Sequence, residues 1–299
     1  MADKQIKVAL WCVPRSMSTV FAKCMSAIDE MEVYLELYSY SASVSGVFHS
    51  ATGRVLPKKL AGNETVYEEA LAVWKQETDS ILNPKRISCY DIKRDLESTK
   101  SKLVFIKEMA YITDYVQEYL PQGFKYVFLT REPTRVFTSF RKSIQASGMF
   151  HRTEGPILDI IREDPANIRP MSWYEKQHQL WKYVQEHLDP NPIIIDATDL
   201  ASQPRKILKS FCEAVGFLYS DSLLQWSPSQ NFPKNFVTAG ENLEQFAAFY
   251  STALSSTHFM APAKKGPIPR DQLTDDVIRC VDYSMPFYRE MYENRLQAS

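Results

Sequence analysis

Glycine is scarce in this sequence, at 9 of 299 residues. That excludes the common glycine-rich phosphate loop, whose backbone must bend where only glycine bends freely. Any phosphate would have to be held by arginine and hydroxyl side chains instead. Cysteine is scattered as well: Cys12, Cys24, Cys89, Cys212 and Cys280 are odd in number and lack the paired spacing of zinc sites. They read as reduced thiols packed as small apolar groups, the habit of a cytosolic protein. No run reaches the roughly 18 uninterrupted apolar residues that a membrane helix needs. The opening MADKQIK leads into an apolar run rather than a signal-peptide core. A net charge of −1 offers no global basic field for nucleic acid or anionic lipid. These absences leave a soluble cytoplasmic protein whose anion binding, if any, is local. With 44% hydrophobic residues the chain can bury a full core.

The stretch that organises the chain runs from Ile6 to Ile28. An apolar run from Val8 to Val13 breaks at Pro14 into the polar elbow Arg15-Ser16-Met17-Ser18-Thr19. Beyond it Val20, Phe21, Cys24 and Ile28 recur at helical spacing, so the pattern is strand, turn, helix. An arginine, three hydroxyls and free backbone N–H groups at a helix N-terminus favour a phosphate or sulfate there. The elbow lacks the glycines and lysine of a Walker loop, and no acidic pair for Mg²⁺ stands opposite it.

The same hand-off recurs downstream. Met31 to Glu36 predicts a second strand ending on a carboxylate, and the Ser- and Gly-containing stretch 38–62 predicts an excursion over the mouth of the sheet. A helix is expected from Thr65 to about Leu82. The apolar run Lys102 to Ile106 delivers Lys107-Glu108-Met109 to a helix start, and Lys125 to Thr130 delivers Arg131-Glu132-Pro133. Val136, Phe140 and Ile144 then form an apolar stripe, with Pro133 suited to the first helical turn. Arg135, Ser139 and Lys142 make a basic polar ridge beside that stripe. A helix over 173–187, a buried strand at 192–196 and helices over 203–215, 243–254 and 273–295 complete the pattern. Alternating strands and helices predict a three-layer α/β protein, a mostly parallel sheet with helices on both faces. Ligands of such sheets sit at the carboxyl ends of the strands, where Arg15, Glu36, Lys107 and Arg131 all fall. One domain over 1–299 is expected, with insertions near 38–62, 147–172 and 220–270.

The elbow Pro14-Arg15-Ser16-Met17-Ser18-Thr19, together with Arg131 and Ser139 eight positions apart, resembles the sulfotransferases that use 3′-phosphoadenosine 5′-phosphosulfate (PAPS). Both motifs occur in the family's order. Met17 stands where many members carry glycine, which is similar to the arginine-bearing loops of bacterial-type and Golgi-type relatives. Ile193 to Gly216 resembles a later strand-and-helix segment, although Ala197 and Thr198 replace its usual tyrosine and glutamate. Lys264-Lys265-Gly266 is similar to a basic loop that closes over the cofactor. The resemblance implies a P-loop-NTPase-like sulfotransferase fold and PAPS as sulfuryl donor, with no metal. Pro14 to Thr19 would hold its 5′ end, Arg131 and Ser139 its 3′-phosphate, and Lys264, Lys265 and Gly266 the closing loop.

On that resemblance the catalytic groups are Glu36, Arg15 and Lys107. Charge builds on the oxygen leaving sulfur, so Arg15 and the elbow N–H groups would neutralise it, with Lys107 as a second cation. Glu36 occupies the family's glutamate-base position after the second strand; Glu32 and His49 are rival bases. Tyr38, Tyr40, Phe249 and Tyr250, with Phe150, His151, Phe246 and Phe259, fall in segments bordering an acceptor. The implied partner is a small-molecule alcohol, phenol or amine, not a nucleic acid or a membrane; a homodimer is left open. The alternatives are a catalytically inactive nucleotide-binding interaction protein and a small-molecule kinase.

Overall fold

The first strand, β1 (Ile6–Cys12), sends Val8, Leu10 and Cys12 to one side and Ala9 and Trp11 to the other. That is the period of two an extended chain imposes. Both sets are buried, because β1 lies inside a parallel sheet with helices on each face. The computed structural model describes residues 5–147, 159–162, 164, 168–241, 247–261 and 266–297. After β1 come α1 (Ser18–Met25), β2 (Met31–Leu35), α2 (Leu37–Thr52), α3 (Glu64–Thr78), β3 (Ile81–Leu82) and α4 (Cys89–Ser98). Then follow β4 (Leu103–Met109), α5 (Thr113–Val116), β5 (Lys125–Thr130), α6 (Pro133–Ser147) and α7 (Trp173–His187). The chain closes with β6 (Ile193–Asp196), α8 (Ala197–Ser202), α9 (Pro204–Val215), β7 (Phe236–Val237), β8 (Gly240–Glu241), α10 (Ala247–Ser255) and α11 (Asp275–Glu293).

The main sheet has the order β6-β5-β1-β4-β2-β7, and every pairing in it is parallel. β3 and β8 form a separate antiparallel pair. On the face of Val8 and Leu10, Phe21 of α1 packs with Leu208 and Phe211 of α9. On the face of Ala9 and Trp11, Phe48 of α2 packs with Trp74 of α3 and Trp181 of α7. A third cluster joins Phe137 and Phe140 of α6 to Trp173 of α7 and Val281 of α11. The expected three-layer α/β architecture is therefore present. Among the described residues no helix is long and apolar enough to cross a membrane.

Three local expectations are corrected. Residues 37–52 of the expected excursion form helix α2. Serine is a mediocre helix former, but Tyr40, Val44 and Phe48 recur at i, i+4 and i+8 and are all buried, so tertiary burial decides. Gly53, at φ 70, ends the helix in the left-handed conformation that glycine adopts without strain. Lys107, Glu108 and Met109 do not start a helix but extend β4, where they pair with Leu10, Trp11 and Cys12. Within 220–240, β7 adds an edge strand beside β2. Most of the expected insertion at 147–172 lies outside the described residues.

Candidate functional site

The elbow between β1 and α1 is bent without glycine. Arg15 and Met17 take positive φ angles of 61° and 65°, and Glu36, which precedes α2, takes 57°. Such angles cost a residue bearing a Cβ roughly 1–2 kcal/mol and gather where a site over-determines the backbone. Among the described residues six non-glycine positions have positive φ, and these three line one cavity of about 420 Å³. Ser16 turns inward and donates from Oγ to the Val13 carbonyl at 2.7 Å, bracing the bend. Pro14, Met17, Ser18 and Thr19 face the cavity with Arg15.

The second motif meets the first. Arg15 Nε donates to Ser139 Oγ at 3.2 Å, and Arg131 Nη1 donates to the Arg15 carbonyl at 2.7 Å. Pro133 begins α6 as expected, and that helix carries Ser139 to the elbow. A second, more open cavity of about 400 Å³ is lined by Arg15, Arg131, Arg135, Ser139 and Lys142. Arg15, Arg131 and Ser139 border both cavities. Glu132, the nearest acid in sequence, accepts instead from the backbone N–H groups of Thr134 and Arg135. Among the described residues neither Arg15 nor Arg131 forms an ion pair with a carboxylate. Burial lowers the proton affinity of both guanidiniums, and Arg131 lowers that of Arg15 further. Two half-buried like charges held together call for an anion between them. Arg135, which lines the second cavity, donates from Nε to the Gly266 carbonyl at 3.1 Å, but Gly266 itself does not line it. Lys264 and Lys265 lie outside the described residues.

Across the larger cavity stands Glu36. Its Oε1 pairs with Lys107 Nζ and its Oε2 accepts from the Tyr250 hydroxyl at 2.7 Å. Lys107 is fully buried and does not line the cavity. Burial disfavours its ammonium form, but Glu36 opposite overcomes that and raises its pKa. Its neighbour Glu108, pointing to the other face of β4, accepts from the Tyr38 and Ser39 N–H groups at 2.7 and 3.1 Å and from Ser39 Oγ at 2.8 Å. It thereby caps α2 from another strand and fixes the chain just after Glu36. Burial pushes the Glu108 carboxyl up to about 8 against those donors. Glu32 accepts from Ser101 Oγ at 2.6 Å, at the opposite end of the sheet, and His49 is exposed at the far end of α2. Neither faces the cavity.

The rest of the cavity wall is largely aromatic. Tyr40, Phe249 and Tyr250 line it, whereas Tyr38 is buried in the core and donates to the Tyr119 carbonyl. Phe259 packs in the cluster under α1; Phe150, His151 and Phe246 lie outside the described residues. Trp74, Met109, Tyr111, Trp173 and His258 join the wall without having been expected. Met109 and Tyr111 were within reach of the strand-end rule, since they sit at the carboxyl end of β4. Trp74 and Trp173 come from helices distant in sequence, and no local signal marks them. α10 is tied to the elbow: Arg15 Nη1 reaches the Phe249 carbonyl at 3.5 Å, and buried Lys23 of α1 donates to the Ser256 carbonyl at 3.0 Å.

Residues 185–295 match the family model described as a sulfotransferase domain. That segment includes Tyr250 but not the elbow or Arg131. No curated protein matches the chain by sequence. Among solved structures, the chain is similar to a mouse sulfotransferase, SULT7A1, complexed with PAP, at 14% identity and a TM-score of 0.49 over 98% of this chain and 86% of that one. It is also similar to a sulfotransferase domain from the curacin biosynthetic pathway, at 16% identity and a TM-score of 0.46 over 93% and 96%. A sulfotransferase from Alicyclobacillus acidocaldarius shows 12% identity and a TM-score of 0.42 over 83% and 92%.

Proposed function

We propose that this chain, whose residues 185–295 match the sulfotransferase-domain model, moves a sulfuryl group from PAPS to a hydroxyl or amine of a small-molecule acceptor. The observation that supports this reading best is the meeting of Arg15 and Arg131 at the junction of two cavities, neither of them in an ion pair with a carboxylate among the described residues. A nucleotide with phosphate at two ends suits such a junction: Arg15 and the elbow N–H groups would hold one end, Arg131 and Ser139 the other. PAPS would supply an activated sulfuryl group whose departure leaves a phosphate behind. Arg15, Ser18 and Thr19 would hold that phosphate, and the Arg15 charge would stabilise the oxygen that gains negative charge, as preorganised donors do. Glu36 lines the other side of the same cavity and would take the acceptor's proton. A carboxylate has about four lone-pair sites, so Lys107 and Tyr250 leave Glu36 room for one more donor. Lys107 would act through Glu36, holding it in place. The aromatic wall would exclude water and take an apolar or ring-bearing acceptor. We read the chain as one domain, and its five buried thiols fit the cytoplasm.

A second reading has one observation in its favour. Both Glu36 oxygens are already engaged, which suits a nucleotide-binding protein without turnover. The two part in one experiment on purified protein. 3′,5′-Adenosine bisphosphate should raise the melting temperature more than ATP·Mg²⁺ does, by mass action on the native state, and labelled PAPS should then label an acceptor in a screen. Stabilisation without any transfer would favour the second reading, and no stabilisation would overturn both.

A further inference from the structure

Several phenol–carboxylate contacts occur in this chain. Tyr34 donates to Glu32 at 3.0 Å, Tyr219 to Asp221 at 2.7 Å, Tyr283 to Glu175 at 2.9 Å and Tyr288 to Asp196 at 3.1 Å. All four lie away from the cavity. The contact of Tyr250 with Glu36, at 2.7 Å, differs because both partners line the cavity that Arg15, Ser18 and Thr19 also line. A phenol hydrogen-bonded to the proton acceptor, inside the chamber that holds the anion site, is in the pose an acceptor hydroxyl must reach before transfer. The backbone beside it is held from the anion side, since Arg15 reaches the Phe249 carbonyl.

We propose that Tyr250 is an internal sulfuryl acceptor, so that without an external acceptor the chain sulfates its own Tyr250 hydroxyl. The inference rests on the reading of the chain as a PAPS-dependent sulfotransferase. In the step, an O–S bond forms from Tyr250 Oη and the bond from sulfur to the bridging oxygen of the 5′-phosphate breaks. The phenolic proton passes to Glu36 Oε2, and 3′,5′-adenosine bisphosphate leaves with the bond's electron pair. Burial and the neighbouring Glu36 hold the Tyr250 phenol in its protonated form, so proton transfer must accompany attack. Only 6% of Tyr250 is exposed, which closes the hydroxyl to a second copy and makes the reaction intramolecular. It follows that an external acceptor competes with the Tyr250 hydroxyl for Glu36 Oε2.

The test incubates the purified full chain with labelled PAPS and no acceptor, then maps the modified peptide by mass spectrometry. One sulfuryl group on Tyr250 is expected, formed at a rate independent of protein concentration and absent from Tyr250→Phe and Arg15→Ala. A second readout needs no donor. 4-Nitrophenol should bind the cofactor-free Tyr250→Phe protein about tenfold more tightly than the native chain, because Glu36 Oε2 loses its internal donor. Label on Tyr34, Tyr219 or Tyr283 instead, a rate rising with protein concentration, or 4-nitrophenol affinity equal or absent in both proteins would overturn the inference. If the chain binds 3′,5′-adenosine bisphosphate and sulfates an external phenol while Tyr250 stays unmodified, the inference falls and the functional reading stands. If it neither binds the bisphosphate nor transfers label, both fall.

Discussion

Arg131 reaches back across the sheet ends and donates to the carbonyl of Arg15 at 2.7 Å. One guanidinium is thus both a brace for the elbow and a wall of the second cavity. The carbonyl of Arg131 in turn accepts from the Tyr174 hydroxyl at 2.5 Å, so α7 holds the brace from behind. The strained elbow and the junction of the two cavities are therefore coupled through a single side chain.

Replacing that side chain should separate binding from folding only in part. Arg131→Ala removes a hydrogen bond from a charged group, worth about 1.5–3 kcal/mol, and affinity for 3′,5′-adenosine bisphosphate should fall about 10- to 100-fold in calorimetry. Arg131→Lys keeps the charge but not the planar fork, so most of the loss should remain. Undiminished affinity in Arg131→Ala would place the nucleotide elsewhere.

The buried pair Lys107–Glu36 predicts opposite outcomes for single and double changes. Lys107→Met leaves Glu36 without its cation in a dry setting and should lower unfolding stability by about 3–5 kcal/mol. Combining it with Glu36→Gln should restore a large part of that, a coupling that denaturant melts read directly. Glu36→Gln alone should cut turnover about 10²- to 10⁴-fold while bisphosphate binding stays within about twofold. An active Glu36→Gln enzyme would assign the base to another group.

Glu108 predicts a pH dependence. Its carboxyl is pushed up to about 8 in the folded chain, against about 4.3 in an unfolded one. Between those values the folded state binds more protons, so this group's contribution is fully present below the lower value and is lost as pH rises through the upper one. Stability should decline from about pH 5 to 8 by at most about 1.4 kcal/mol per unit. In Glu108→Gln the decline should flatten, although the weakened α2 cap lowers stability throughout. An unchanged slope in the variant would clear Glu108 of the effect.

Met17 holds φ 65° at the mouth of α1. Met17→Gly relieves a penalty of roughly 1 kcal/mol, offset in part by the freer unfolded chain, and should melt no lower than the native protein. Met17→Val puts a β-branched residue at the same angle and should cost more than about 1 kcal/mol. Thermal melts of the pair decide it, and equal melting would mean that the elbow relaxes in solution.

Much of this arrangement was legible before any coordinates. The break at Pro14 between an apolar run and a helical one located the elbow, and Pro133 located the start of α6. Both are local signals, because a strand's period and a helix's first turn are written in adjacent residues. Helix α2 is not legible in the sequence, since its serines argue for a loop locally and only its burial against the sheet makes the helix. Lys107 was placed at a strand end because no local signal shows how far β4 stays paired with β1.

By itself, then, the amino-acid order determined the alternation of strands and helices, the parallel layered sheet and the elbow with its arginine. Those follow from periodicity and from the chemistry of neighbours in the chain. Tertiary structure alone decided that Arg15 meets Ser139, that Lys107 spends its charge on Glu36, and that a tyrosine 214 positions later donates to the same carboxylate. Such contacts depend on which segments a fold brings within a few ångströms, and no local pattern encodes that distance.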